Sequence, residues 1–270
     1  MFFRLITIFL TYVPLRVGWL LAWWVAWFWW VVVPVRRKFA ADNFRHAFPD
    51  RAPGPDLRRM MHGLILGYIE LFHELRKPTV KVEMENPDIL GDHLKAGKGA
   101  LLMGGHFGSW DLLGPLLNRE TQFHGAAIVK VPKVAAVAEI MEKIRRSMDM
   151  DLITSADSAM EEVYKRLAVG RLVCFVLDQR YNRGIPIDFF GREAWTTPAL
   201  ARAAKKADVP VFTLHYWRVG LAHHRAQFEG PLELTGEIEA DTRIFQQFYE
   251  EKIRQRPHNW FWLHNRWRKP

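Results

Sequence analysis

Residues 100–113, ALLMGGHFGSWDLL, constrain the fold more than any other stretch of the chain. Ala100 to Met103 form a short apolar run that ends at Gly104 and Gly105. This reads as a buried strand running into a glycine turn. A helix-period apolar pattern starts almost at once, near Ser109. Strand, tight turn and helix in direct succession indicate an α/β fold. They put the turn at the C-terminal edge of a sheet, where such folds bind ligands. The turn carries His106 and, five residues later, Asp111.

The rest of the chain alternates in the same way. Residues 56–76 have a helical apolar period that Lys77-Pro78 terminates, and 79–85 alternate like a strand. A short helix follows Asn86-Pro87. Residues 125–131 read as a strand and 133–146 as a basic helix. Ser158 with Glu161 signals a capping box for a helix through Ala168. LVCFVLD at 172–178 is the next strand, and Thr197-Pro198 starts the helix ALARAAKKA. VPVFTLHYW and HHRAQFEG are late strands, and 241–255 form a last helix. The expected fold is α/β: a single mixed, largely parallel sheet flanked by helices, with an N-terminal membrane helix.

That membrane helix is expected from residues 17–33, VGWLLAWWVAWFWWVVV, which hold no charge and lie between Arg16 and Arg36-Arg37-Lys38. The length is at the lower limit for a span, and the crowded Trp fit a shallow or tilted anchor as well. A basic cluster follows where a signal peptide would carry a small-residue cleavage site. The expected organisation is an anchor at 1–38 and a catalytic domain at 39–270. By the positive cluster, that domain lies on the cytoplasmic side of the inner membrane. The net charge of +9 favours anionic partners, and 12 Trp tilt the choice to a membrane surface and away from nucleic acid.

Spacing alone does not make His106 and Asp111 a catalytic pair. With 11 His and 29 acidic residues, such pairs arise by chance, and His224/Glu229 is a second one. In the strand-like HHRAQFE, residues five apart point to opposite faces. The 106–111 pair differs because the chain turns between its members. Asp111 then falls in a first helical turn, where the helix dipole favours a carboxylate. An ionised Asp111 on one imidazole nitrogen would leave the other free to take a hydroxyl proton. The alternative is a His stacked in a turn with an Asp that only caps. Ser109 lacks the G-x-S-x-G elbow of a serine hydrolase.

Four blocks in order resemble the late (lauroyl/myristoyl-type) acyltransferases of lipid A biosynthesis, within the glycerol-phosphate acyltransferase superfamily. GGHFGSWDLLG is similar to the family's HFGNWE-type block, with Ser109 for the usual Asn and Asp111 as the shorter acid. NFRHAFPD at 43–50 is similar to its N-terminal element. GRLVCFVLDQRYNRGIPIDFFGREAWTTPALA is similar to its DQ…FFG…T block, and RPHNWFWLHNRWRKP to its C-terminal ending.

The resemblance implies transfer of a fatty acyl chain from an acyl-carrier-protein or acyl-CoA thioester to a hydroxyl of a lipid A-type glycolipid, with no metal and no cofactor. His106 would be the general base and Asp111 its partner. Arg145 becomes the oxyanion candidate, although Asp149 stands where the family has Gly. Asp178, Gln179, Arg180 and Lys130 become substrate-binding candidates. Phe107, Trp110, Phe189 and Phe190 become acyl-pocket candidates. The implied partners are a membrane lipid acceptor, acyl carrier protein and an anionic membrane surface. A lysophospholipid, an ornithine-type or another surface lipid is the alternative acceptor. A non-catalytic basic protein of the membrane surface is the alternative from another class.

Overall fold

The computed structural model describes residues 2–129 except 34, 122 and 124, together with 151–154 and 158–269. The expected basic helix at 133–146, and with it Lys130 and Arg145, lies outside the described residues.

Four helices come first: α1 (Phe2–Tyr12), α2 (Leu15–Val31), α3 (Arg37–Ala47) and α4 (Pro53–Arg76). Pro14 separates the first two, having no N–H to continue the ladder. Pro53 opens α4, and Lys77, extended before Pro78, closes it. Then follow β1 (Lys81–Glu85), α5 (Asp88–Lys95), β2 (Ala100–Gly104), α6 (Trp110–Thr121), β3 (Gly125–Val129) and β4 (Asp151–Thr154). Next come α7 (Ala159–Ala168), β5 (Leu172–Val176), β6 (Ile185–Phe189), β7 (Arg192–Thr196) and α8 (Ala199–Ala207). The chain finishes with β8 (Val211–Gly220), β9 (His223–Glu229), α9 (Ile238–Gln255) and a short 3-10 turn at 257–259.

Seven strands form one sheet in the order β1-β9-β8-β2-β5-β3-β4. Every neighbouring pair is parallel except β8 with β9, so the expected mixed, largely parallel sheet is present. β2 is central and buried on both faces. Leu101 and Met103 enter one core cluster, while Ala100 and Leu102 enter the other. That is why its sequence is a continuous apolar run and not an alternating one.

One expectation fails at a helix start. Ser158 precedes α7 but makes no side-chain capping bond. β6 and β7 form a separate antiparallel hairpin that the sequence did not announce. Its turn, Phe190-Gly191, has both φ positive, at 55° and 73°. Asn-Gly or Asp-Gly is the usual signal for that geometry. Here tertiary contacts hold Phe190 instead: its N–H donates to Glu250 Oε1 at 2.6 Å, and Arg254 lies over its ring.

The N-terminal membrane helix is not supported. Among the described residues, no helix is long and apolar enough to cross a membrane. α2 has 17 residues and packs against α4. Gly18, Ala22, Ala26 and Trp29 are its buried stripe, and a Cβ on Gly18 would sit 3.1 Å from Ile69 Cδ1. Trp23 stacks on His62 of α4 at 4.3 Å between centroids. One side of the run packs on the domain, and the other carries exposed aromatic and aliphatic side chains.

His215 on β8 is buried between Phe107 and Trp217. Burial, with the charges of Arg256 and Lys252, pushes its pKa down to about 3. A neutral imidazole in the fold and an ordinary one in the unfolded chain give stability that is full above about pH 6.5. That contribution fades as pH falls toward the folded value, by up to ~1.4 kcal/mol per pH unit. Urea unfolding at pH 7 and 4.5 is expected to show this loss, and His215→Phe to reduce the difference. An unchanged difference would remove His215 as its source.

Candidate active site

The parallel register of β2 and β5 pairs Gly104 with Val176. Two residues beyond each partner, His106 and Asp178 leave adjacent strand ends side by side. His106 Nδ1 donates to Asp178 Oδ1 at 2.8 Å; an ionised carboxylate can only accept, so the proton is on Nδ1. The other oxygen, Oδ2, accepts from the His106 backbone N–H at 3.0 Å and from Trp260 Nε1 at 2.7 Å. Asp178 is fully buried, whereas the His106 side chain is 23% exposed. The buried member is thus fixed by three donors, and the ring keeps an open side for a substrate.

Electrostatics follow from this packing. Burial opposes the charge on His106. The charge and hydrogen bond of Asp178 outweigh it, with a lesser contribution from Asp111, and its pKa is raised. Burial likewise opposes ionisation of Asp178. The His106 charge and the bonds from His106 and Trp260 overcome it and hold the carboxyl below its usual range.

Asp111, which the spacing argument expected on one imidazole nitrogen, is therefore not the partner of Nδ1. It sits in the first turn of α6, and its Oδ2 accepts from the Tyr68 hydroxyl at 3.0 Å. Its action on His106 is through its charge. The His224/Glu229 pair diverges as strand parity requires. His224 Nε2 meets Glu70 on α4 at 2.8 Å, while Glu229 meets Lys252 on α9.

The turn bearing His106 is clamped from three sides. The Tyr249 hydroxyl donates to Gly104 O at 2.6 Å and accepts from Leu177 N, tying both strand ends to α9. The C-terminal segment forms a strap. Gly108 N donates to Asn259 O at 2.6 Å, and Phe261 N to His106 O at 3.2 Å. Gly108 has φ +52°, and a Cβ there would meet Asn259 Oδ1 at 2.9 Å. Asn43 of α3 donates to the carbonyls of Trp262 and His264, so the first and last sequence blocks meet. The fully buried Arg266 anchors the strap on Trp195 O, Thr196 Oγ1 and Gln246 Oε1. On the α4 side, Arg218 bridges Ser109 Oγ at 3.0 Å and the buried Glu70. Gly67 is needed there, because a Cβ would lie 2.2 Å from Ser109 Oγ.

Two recesses lie near the ends of these two strands, one lined from Arg180 onward and one lined by Gly108 to Trp110. One is an open groove of about 510 Å³ lined by Arg180, Tyr181, Asn182, Arg183, His264, Asn265 and Arg268, with no acid in its wall. Its wall begins at Arg180, two residues beyond Asp178, and includes His264 of the strap. Arg180 is half-buried, donating to Asn182 Oδ1 and to the carbonyls of Arg268 and Lys269. Gln179 is half-buried next to it. The second recess lies between α4 and the strap. Trp110 lines it and also meets the His106 ring edge-on at 5.1 Å between centroids.

Of the four acyl-pocket candidates, Trp110 alone lines either recess. Phe107, Phe189 and Phe190 are buried in the core cluster, packed against His215, Trp267 and Phe48 among others. No group of His, Cys, Asp and Glu among the described residues could hold a metal ion.

Comparison with known proteins places this site in a family. Residues 13–269 match the family described as bacterial lipid A biosynthesis acyltransferase. Among similar curated proteins are two named phosphatidylinositol mannoside acyltransferase. The one from Mycobacterium tuberculosis (strain ATCC 25618 / H37Rv) is 24% identical over 71% of this chain and 65% of its own length. The one from Mycolicibacterium smegmatis is 25% identical over 67% of this chain and 60% of its own length. The chain thus spans somewhat less than two thirds of the relatives it matches. The match runs through the strand ends that carry His106 and Asp178 and through the C-terminal strap, and by it the chain belongs to the bacterial lipid A biosynthesis acyltransferase family.

Proposed function

We propose that the protein transfers a fatty acyl chain from a thioester to a hydroxyl of a glycolipid, with His106 as general base. The observation that carries this is the bond from His106 Nδ1 to a fully buried Asp178. It fixes the tautomer with Nε2 unprotonated and directs Nε2 to the open side. There Nε2 takes the proton of the acceptor hydroxyl as the oxygen attacks the thioester carbonyl. The carbon–sulfur bond then breaks, and the thiolate leaves with the proton returned from the imidazolium. Asp178 stabilises that imidazolium throughout, and the Asp111 charge adds to the effect. The acid-free wall of Arg180, Arg183 and Arg268 suits the anionic part of a substrate. The donor is an acyl-carrier-protein or acyl-CoA thioester, and the similarity to phosphatidylinositol mannoside acyltransferases favours a glycolipid acceptor. Lipid mass spectrometry of cells with and without the protein tests the reading. One added acyl chain on a glycolipid is expected, and an unchanged lipid profile would defeat it.

The acceptor is reached from a membrane surface. Ile8, Phe9 and Tyr12 of α1 and Trp24, Trp27 and Phe28 of α2 are exposed, and Arg36 and Arg37 follow the end of α2. An apolar face with Trp and flanking cations suits embedding in one leaflet at the cytoplasmic face of the inner membrane. Flotation with phosphatidylglycerol-containing vesicles is expected to retain the protein and to lose Trp24→Glu/Phe28→Glu. Equal flotation of both would rule out this face.

A further inference from the structure

We infer that Arg218 is a positioning residue for acyl transfer: through the Ser109 hydroxyl it locks the first turn of α6, and with it the places of Trp110 and Asp111 against His106. This rests on the acyl-transfer reading above. It gives a role to a residue of β8 that lies in none of the four sequence blocks.

Arg218 stands out first by its surroundings. With the strand period of two it shares a sheet face with Phe212, Leu214 and Tyr216. That face is covered by apolar residues of α4 and α6, among them Leu71, Leu112 and Leu116. The register of β8 shifts between Arg218 and Gly220, the kind of irregularity that re-aims a side chain. The Arg218 side chain is largely buried, and its partner Glu70 of α4 is fully so.

Its hydrogen bonds are divided in an unusual way. Elsewhere in the molecule an arginine grips a carboxylate with two nitrogens. Arg51 gives Nε and Nη2 to Asp56, and Arg225 gives Nε and Nη2 to Glu83. A two-nitrogen grip is the strong way to neutralise a carboxylate. Arg218 gives Glu70 only Nη1 and turns Nη2 to Ser109 Oγ at 3.0 Å. Its Nε, although buried, has no partner among the described residues. Glu70 has other donors, since Ala222 N reaches Oε1 and His224 Nε2 reaches Oε2, each at 2.8 Å. The fork is thus split so that one arm reaches the residue before α6.

Ser109 carries the effect to the site. Its carbonyl accepts from Leu112 N at 2.9 Å, so Ser109 leads directly into α6. Its hydroxyl lies between Arg218 and α4, donating a long bond to Gly63 O at 3.4 Å. Next in the chain, the Trp110 ring meets the His106 ring edge-on, and the Asp111 charge raises the His106 pKa. A second tie from α4, the Tyr68 hydroxyl on Asp111, holds the same turn. Such ties matter because a misplacement of about 1 Å in a reacting arrangement can cost about 10²-fold in rate.

The test uses Ser109→Ala and Arg218→Lys. Ser109→Ala removes the hydroxyl and keeps every charge. Arg218→Lys keeps a cation for Glu70, but a single ammonium lacks the fork that serves Glu70 and Ser109 together. Thermal melts are expected to show both variants folded. In each, kcat for transfer is expected to fall roughly tenfold or more, with acceptor KM within about threefold. The groups that act on His106 are Asp178 at the end of β5, Asp111 on α6 and His264 of the strap, which burial holds neutral with a pKa of about 4. Neither variant removes any of them. A loosened first turn draws the Asp111 charge away, so the acid limb of kcat/KM is expected to move to lower pH. The His106 signal in NMR of histidine-labelled protein, assigned by its loss in His106→Ala, is expected to titrate lower in both variants. The double variant is expected to lose about as much as either single one, because both cut the same tie. Wild-type kcat and an unmoved acid limb in the folded variants overturn the inference, even if both melt at lower temperature. Additive losses in the double variant overturn it as well. A His106 titration that moves in both variants, in a protein that transfers no acyl chain even as wild type, defeats the acyltransferase reading and leaves the positioning role standing.

Discussion

His106→Ala is expected to lower kcat for acyl transfer by about 10²–10⁴, the range a positioned general base contributes. The fold is expected to survive. Asp178 loses the ring donor but keeps the backbone N–H of residue 106 and the Trp260 indole. A buried carboxylate that loses one of three donors costs about 1–3 kcal/mol. A purified variant should therefore unfold cooperatively at a lower temperature, still float with vesicles, and fail in the transfer assay. Transfer at the wild-type rate by His106→Ala would end the mechanism and return the protein to a lipid-binding role.

Asp178→Asn tests which carboxylate serves the base. Asp178 Oδ2 accepts two bonds, from the His106 N–H and from Trp260, while Oδ1 accepts one, from the ring. An Asn side chain satisfies the two donors by placing its oxygen at the Oδ2 position. Its NH₂ then faces Nδ1, donor against donor. The ring must move its proton to Nε2, the nitrogen that has to accept from the substrate. A kcat loss of about 10²–10⁴ is expected even though the side chain is nearly isosteric.

The pH profile fixes the sign. Asp178 raises the His106 pKa, so the contribution of protonated His106 to stability is full below about pH 6.5 and fades as pH rises through the raised value, whereas that of Asp178, held below the usual carboxylate range, is lost as pH falls through its own lowered value. Base catalysis needs neutral His106, so wild-type kcat/KM climbs with pH through that same raised value. In Asp178→Asn the acid limb moves to lower pH while the plateau drops. Asp111→Asn is expected to move the limb the same way, since its charge acts in the same direction. A limb that stays in place in Asp178→Asn would show that another group controls the proton.

Much of the fold was legible because its signals are local. The apolar run at 100–103, the glycine turn and the helix after it appear as β2, the His106 turn and α6. Pro78 stopped α4 and Thr197-Pro198 started α8, as backbone chemistry requires; Thr197 Oγ1 accepts from Ala199 N. The β6–β7 hairpin was not legible, because its left-handed Phe190 is held by Glu250 and Arg254 from α9, far along the chain.

For the site, the sequence singled out His106 as the candidate base. It put His106 at the end of a buried strand, in a turn and beside a helix start, and it put Asp178 at the end of another strand of the same kind. It also disqualified His224, since strand parity alone sends Glu229 the other way. Only the tertiary structure decided which carboxylate His106 holds. Side-chain spacing along a chain favours the near residue Asp111, but parallel pairing of β2 with β5 aligns residues 72 positions apart. The fate of the Trp-rich N-terminus was decided in the same way. Its lack of charge reads as membrane from sequence, and the small-residue stripe on α2 gains meaning only once α4 is packed against it.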